Sequence, residues 1–317
     1  KHLSLPGGIP SHDTIGRLLV ALKPDAFQFC FQRWTASFAT GLAQEAPQIA
    51  VDGKALRRSH DQSRGLGPLF LVSAWSVEQG VSLGQLATEA KSNEITAIPE
   101  LLDQIDMAGC VITIDAAGCQ REIAQQIVQG KGDYILALKG NQRSLHKAVR
   151  DFIVASMESD FKGTGARRFT ETLKGHGRVD TVTYYQLPVP ADLSGAHKWQ
   201  GLKTIGVAIR NSVRNGKETA EVRYYISSTD VSVRKFARYV RGHWSIENTL
   251  HWCLDMTFRE DESRLRNRHA AENLAWLKRF AISLLKQCKD KESVAMRRRM
   301  AGWNVDYLAQ VVGITAV

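Results

Sequence analysis

Five side chains in this sequence have the types and spacing to do chemistry: Asp52, Asp115, Glu247, His243 and His251. The last three lie in Y-V-R-G-H-W-S-I-E-N-T-L-H-W-C-L-D-M-T-F-R-E-D-E (Tyr239 to Glu262), whose apolar residues recur at helical steps. Spaced i, i+4, i+8, His243, Glu247 and His251 rise from one helix face. A carboxylate between imidazoles suits a metal or acid–base site, and an amphipathic helix with a solvated polar face gives the same spacing. Local spacing leaves both readings open. Asp52 and Asp115 close two apolar runs, Q-I-A-V-D and C-V-I-T-I-D, so each is expected at the C-terminal end of a strand. That is the edge where functional groups gather in an open α/β sheet. If those strands are neighbours the carboxylates stand side by side, and Glu247 from a later helix completes a set of three acids. Two hard divalent cations need such oxygen ligands, and a metal pair serves phosphodiester chemistry. Taken singly, each acid is more simply a turn residue or a helix cap. Asp255, Glu260 and Asp261 compete for the third place; Glu247 is preferred because it lies inside the helix, between Trp244 and Trp252, which are expected to pack and fix it.

The elements that must position these groups follow from pattern. Residues 1–47 read as a helical region, with Ser11 or Asp13 as a cap for Ile15, Leu18, Leu19 and Leu22, and then Phe27, Phe31, Trp34 and Phe38. Residues 48–162 begin with three strands: one ending at Asp52 before a basic turn (Lys54 to Arg58), then Leu69 to Val77 and Val81 to Leu86 joined by Glu78-Gln79-Gly80. A helix capped by Asn93, the strand ending at Asp115, a helix around Ile123 and Ile127, the strand Tyr134 to Leu138 and a helix from near Ser144 follow. The first three strands suit an antiparallel meander; the later ones need crossovers and should lie parallel. Residues 163–230 break this rhythm with four Thr-, Val- and Tyr-rich strands and turns at Gly175-His176-Gly177 and Asn215-Gly216. Helix resumes over 231–285, and 286–317 read as a basic helical tail. The expected class is therefore α/β: a mixed sheet with helices on both faces, interrupted by a β-rich insertion.

The 317 residues are 44% hydrophobic and 23% charged, an ordinary globular composition with no apolar run of membrane-spanning length. Five cysteines without a C-x-x-C pair argue against a disulfide framework and against a thiolate zinc site, and fit a reducing cytoplasm. A net charge of +10 fits a polyanion partner, because neutralising phosphates releases counterions. The chain opens on Lys1 rather than Met, so a protein that begins further upstream is expected.

Four blocks, V-D-G-K-A-L-R-R-S, T-I-D-A-A-G-C-Q, D-Y-I-L-A-L-K-G-N-Q and R-G-H-W-S-I-E-N-T-L-H-W-C-L-D-M-T-F-R-E-D, occur in the order found in the H-repeat-associated (ISAs-type) insertion-sequence transposases, which this chain resembles over nearly its whole length, including I-P-S-H-D-T-I-G-R. These belong to the DDE superfamily, with a ribonuclease H-like core. The resemblance implies that Asp52, Asp115 and Glu247 are the catalytic, metal-binding triad for two Mg²⁺ ions, with Mn²⁺ as a substitute. It also implies that the β-rich segment is the insertion of related transposases and that double-stranded DNA, at element ends and target, is the partner. A homodimer in the DNA complex and a place at the bacterial nucleoid are expected by the same analogy. The sequence departs from the broader group's signature helix, which carries Tyr and Arg before the glutamate and Lys after it. Val240, His243 and Leu254 stand there. The phosphate-contact roles are therefore not carried over, and Arg241, His243 and His251 are candidates to fill them. The resemblance implies a further N-terminal helical segment, which this sequence is expected to lack.

Other candidate DNA contacts are Lys54, Arg57 and Arg58, then Lys139 and Asn141 after the Tyr134 strand. His176 and Arg178 in the G-H-G-R turn, and Arg264 and Arg266 in a basic run, complete the set. Solvated turns or helix faces account for each of these as simply. Three competing functions stay open at this point: a stand-alone nuclease that cuts without joining, a DNA-binding derivative without chemistry, and a mononuclear metal enzyme using His243, Glu247 and His251. The last leaves Asp52 and Asp115 without a role.

Overall fold

A computed structural model describes residues 5–36, 46–89, 94–175, 178–214 and 216–313. Phe38, Asn93, His176 and Asn215, each given a role from sequence, lie outside the described residues. Two helices open the chain, α1 (His12–Ala21) and α2 (Pro24–Ala36); the Ser11 side chain caps α1 by accepting from the Thr14 amide. Strands β1 (Gln48–Leu56), β2 (Leu69–Ser76) and β3 (Val81–Thr88) form the antiparallel meander. Helix α3 (Glu94–Leu102), β4 (Val111–Ile114), α4 (Arg121–Gln129), β5 (Asp133–Leu138) and α5 (Arg143–Glu158) make the crossovers, with β1, β4 and β5 mutually parallel. The order β3-β2-β1-β4-β5 is the ribonuclease H-like arrangement.

Strands β6 (Arg167–Gly175), β7 (Arg178–Pro188), β8 (Thr204–Arg214) and β9 (Lys217–Ser227) continue that sheet. β9 runs antiparallel to β5 from Leu138↔Tyr224 to Ile135↔Ser227, so one sheet holds nine strands, in the order β3-β2-β1-β4-β5-β9-β8-β7-β6. The burial of the strands explains the join. Thr204 to Ala208 of β8 and Tyr225 to Ser227 of β9 are buried, while the outer halves of both strands are exposed apart from a few half-buried positions. The β-rich segment thus shares the core at one end and projects from it at the other.

Alternation along β1 sorts the two faces. Ile49 and Val51 pack with α3, α4 and α5 in the main apolar core, which includes Ile98, Leu101, Ile123, Ile127 and Val149. Ala50 faces the other way, toward Ile246, Leu250 and Leu254, and Leu56 toward Ala271 and Ala275 of α8 (Arg268–Gln287). Between Ala50 and Leu56 on that second face come Asp52 and Lys54. One acid and one base thus interrupt an otherwise apolar strand face. The helix α6 (Val233–Ser245), a π-helical segment (Ile246–His251) and α7 (Trp252–Met256) cover it. Two short helices, α9 (Val294–Trp303) and α10 (Val305–Val311), end the described chain, and none of its helices is long and apolar enough to cross a membrane.

The fit of α6 on the sheet depends on a missing side chain. A Cβ at Gly242 would lie 2.1 Å from Gln48 Oε1. Gln48 is buried and cannot yield, because its Nε2 donates to Thr113 Oγ1 (2.9 Å) and to the Tyr239 carbonyl (2.8 Å). Gly242→Ala gains about 1 kcal/mol of helix propensity and costs about 1–3 kcal/mol in overpacking. The steric term wins, and a lowered urea midpoint with an unchanged slope is the expected result.

Candidate active site

β1 pairs with β4 only as far as Val51↔Ile114, so Asp52 and Asp115 are the next residues on two adjacent parallel strands. The sequence places Asp52 at a strand end, and the structure corrects this. β1 runs on to Leu56, paired with β2 through Leu56↔Leu69, and only its β4 side opens at Asp52. Lys54, Ala55 and Leu56 are consequently strand rather than turn. At β4 the chain turns away. Asp115 Oδ1 accepts from the Ala117 amide (3.0 Å) and the Gly118 amide (3.4 Å), and Asn141 Nδ2 braces the same loop by donating to the Ala116 carbonyl (2.6 Å).

Glu247 lies in the π-helical segment, which the sequence gives no sign of. Wider hydrogen bonding adds about one residue per turn there, and such segments recur at functional sites. The three-rung ladder expected of His243, Glu247 and His251 is thereby broken up. His243 Nδ1 meets Thr113 Oγ1 on β4 (3.2 Å), His251 Nδ1 lies 3.5 Å from Asp52 Oδ2, and Glu247 is exposed. Trp252, expected to pack, is 57% exposed; Ile246 and Leu250 are the residues that anchor the segment. Trp244 packs as expected, with the Arg223 guanidinium 4.1 Å from its ring centroid and that of Arg210 5.6 Å away.

Electrostatics sets Asp52 apart. Burial first, then the charges of Asp115, Glu247 and Glu94, push its carboxyl up to about 7, against the pull of a hydrogen bond from the Gly53 amide. Among the described residues no Lys or Arg pairs with Asp52, Asp115 or Glu247. Burial lowers both imidazoles, His243 to about 4 and His251 to about 3, so each is neutral at pH 7. Glu94, at the start of α3, escapes a reading of sequence. It is buried, and its Oε1 lies 2.2 Å from where a Gly53 Cβ would stand. A glycine directly after the first acid is the one signal that could have pointed to it. Among the described residues no three Asp, Glu, His or Cys side chains close around a single point. The acids form an open set with Asp52 as the member that feels the others.

Two cavities meet at Glu247 and Trp244. One, of about 400 Å³, is lined by Asp115, Lys139, His146 and Arg223. The other, of about 830 Å³, runs past Lys174, Arg210, Arg238 and Arg241. Lys139 is exposed, and Arg241 reaches Glu171 Oε2 at 2.7 Å from an exposed position. Arg58, Arg264 and Arg266 are exposed as well, and Arg57 is exposed while paired with Asp261 (3.2 Å). Lys54 is not open to solvent. Its amine sits between Asp255 Oδ1 (2.6 Å) and Asp261 Oδ1 (2.9 Å). The backbone of Arg178 lies in β7, opposite Gly175 and Arg214.

Residues 43–285 match the family described as the transposase DDE domain. The chain is 40% identical to YncI of Escherichia coli, named as a candidate transposase, with 98% of this chain and 80% of that one covered. It is 38% identical to YhhI of Escherichia coli, named as a candidate H repeat-associated transposase, covering 96% and 81%. A cryo-EM structure of a piggyBac transposase synaptic complex with hairpin DNA overlaps it with a TM-score of 0.44 at 11% identity, over 86% of this chain and 55% of that one. Family match, identity and strand order agree, and the chain belongs to the DDE transposases.

Proposed function

We propose that this transposase cuts double-stranded DNA at the ends of an insertion element and joins the freed 3′ ends to target DNA, with Asp52, Asp115 and Glu247 holding two Mg²⁺ ions. The observation that carries the reading is the register Val51↔Ile114, which brings Asp52 and Asp115 together beneath a helical segment whose Glu247 acts on the charge of Asp52. The donor set fits a hard divalent cation: carboxylate oxygens, none paired with Lys or Arg among the described residues, and Asp52 held against ionisation by burial and then by its neighbours' charges. Bound there, Mg²⁺ or Mn²⁺ would activate a water or 3′-hydroxyl and stabilise the leaving oxygen.

The chain's own residues do the rest. Neutral His243 and His251 brace the helix against β4 and β1 without placing a competing positive charge beside the acids. Lys139 and Arg241, which line the two cavities at Glu247, and the exposed Arg57, Arg58, Arg264 and Arg266 offer cationic groups for the DNA backbone. A dimer that brings two element ends together completes the proposal.

Joining separates this reading from a nuclease and from a DNA-binding derivative. Labelled DNA carrying the element ends, incubated with a plasmid target and Mg²⁺, is expected to yield joined product. Asp115→Ala should abolish that product and leave retention of the DNA in a gel shift within about twofold. Cutting without joining would favour the nuclease. Full joining by Asp115→Ala would sink the assignment.

A further inference from the structure

The acids around the candidate site fall into two groups of different chemistry. Asp52, Asp115 and Glu247 lack a cationic partner among the described residues, whereas Asp255, Glu260 and Asp261 are matched by Lys54, Arg57 and Arg279. Lys54 Nζ lies 2.6 Å from Asp255, 2.9 Å from Asp261 and 3.8 Å from Glu260; Arg57 holds Asp261 at 3.2 Å, and Arg279 holds Glu260 at 3.0 Å. The Lys54 side chain is 9% exposed, so its stem is fixed and its amine is consumed by carboxylates.

The placement of these partners suggests a use. Lys54 follows Asp52 by two residues and so points from the same face of β1. Asp255 follows His251 by four residues, one turn further along the helix that carries Glu247. The strand and the helix therefore meet in two successive rungs, Asp52 with His251 at 3.5 Å and Lys54 with Asp255 at 2.6 Å. The first rung is weak because His251 is neutral. The second is an ion pair.

We propose that Lys54 is a positioning residue, a clamp that fixes the helix bearing Glu247 against the strand bearing Asp52, rather than a phosphate contact. The inference rests on the proposed reading of Asp52, Asp115 and Glu247 as the metal-binding set. Residues that orient metal ligands without touching the ion change metal affinity about 10- to 100-fold when removed.

Mn²⁺ binding to the full chain, followed by calorimetry at pH 8, tests this with wild type, Lys54→Met, Asp255→Asn, the double variant and Glu247→Ala. Glu247→Ala is expected to weaken Mn²⁺ about tenfold or more. Lys54→Met should weaken it about three- to tenfold, although removing a nearby cation would by Coulomb attraction alone tighten it. The double variant should bind no more weakly than Lys54→Met, because Asp255→Asn removes a contact that Lys54→Met has already broken. The slope of DNA affinity against salt should be unchanged in Lys54→Met, whereas loss of a phosphate contact would lower it by about one.

Wild-type or tighter Mn²⁺ binding by Lys54→Met, with Glu247→Ala impaired, overturns the clamp alone. Unimpaired binding by Glu247→Ala overturns the metal-site reading beneath it. If Lys54→Met does not melt cooperatively, the double variant, neutral on both sides of the pair, decides in the same terms: affinity below wild type supports the clamp, and wild-type affinity overturns it.

Discussion

Asp52→Asn is expected to abolish DNA cleavage, by about 10³-fold or more, and at the same time to stabilise the metal-free protein. The two effects have one origin. Folding buries Asp52 beside Asp115, Glu247 and Glu94, and its carboxyl rises from 3.8 to about 7. Between those pH values the folded chain holds a proton that the unfolded chain has released, so stability falls as pH rises across that window. Above pH 7 the full cost of the buried charge is present. Its ceiling is about 4 kcal/mol, and relaxation of the site reduces it to about 2 kcal/mol. Asparagine carries no such charge. Melting at pH 8 in chelator should therefore rise by about 4 °C in Asp52→Asn, and the gain should vanish near pH 4. Saturating Mn²⁺ should reverse the order, because only the wild type gains from binding the ion. A variant less stable than wild type in chelator at pH 8 would contradict this account of the site's charge.

The largest expected loss of stability lies outside the acids, at Arg279. Its guanidinium and the Glu260 carboxylate are 0% and 1% exposed and 3.0 Å apart. Arg279 also donates from Nε to Ser73 Oγ (3.3 Å) and from Nη1 to the Ala275 carbonyl (3.2 Å). Ser73 is the β2 residue opposite Asp52, so the pair supports the strand that carries the site. Arg279→Met leaves Glu260 buried without its hydrogen-bonded partner, with Lys54 3.8 Å away and the charge of Lys278 nearby as partial balance. Breaking such a pair from one side costs about 3–5 kcal/mol, and removing both charges costs far less. Chemical denaturation of Arg279→Met should show that loss, and Arg279→Met/Glu260→Met should recover most of it. Equal losses in the single and double variants would mean that packing, not the uncompensated carboxylate, sets the cost.

Much of the fold could be read from sequence because strands buried on both faces appear as unbroken apolar runs. C-V-I-T-I-D and D-Y-I-L-A-L identify β4 and β5, and the acid closing the first run marks the sheet edge. The parts that escaped depend on distant pairing. Asp52-Gly53-Lys54 has turn composition, yet β2 holds it extended to Leu56, which turns Lys54 inward to Asp255 and Asp261. The attachment of β9 to β5 joins segments far apart in the chain, and local pattern is blind to it. The π-helical segment is hidden for a related reason. The spacing of His243, Glu247 and His251 is that of a regular helix, and only packing of Ile246 and Leu250 against Ala50 and Trp75 accommodates the extra residue per turn.

Glu247 is proposed to act with Asp52 and Asp115 on phosphodiester bonds. Cleavage of labelled DNA carrying the element ends, with Mg²⁺ or Mn²⁺ and with chelator, tests it most directly when wild type is run beside Glu247→Ala. Metal-dependent cutting by the wild type, reduced about 10³-fold or more in a variant that still binds the DNA, is the expected result. Equal cutting by Glu247→Ala, or undiminished cutting by the wild type in chelator, would contradict it.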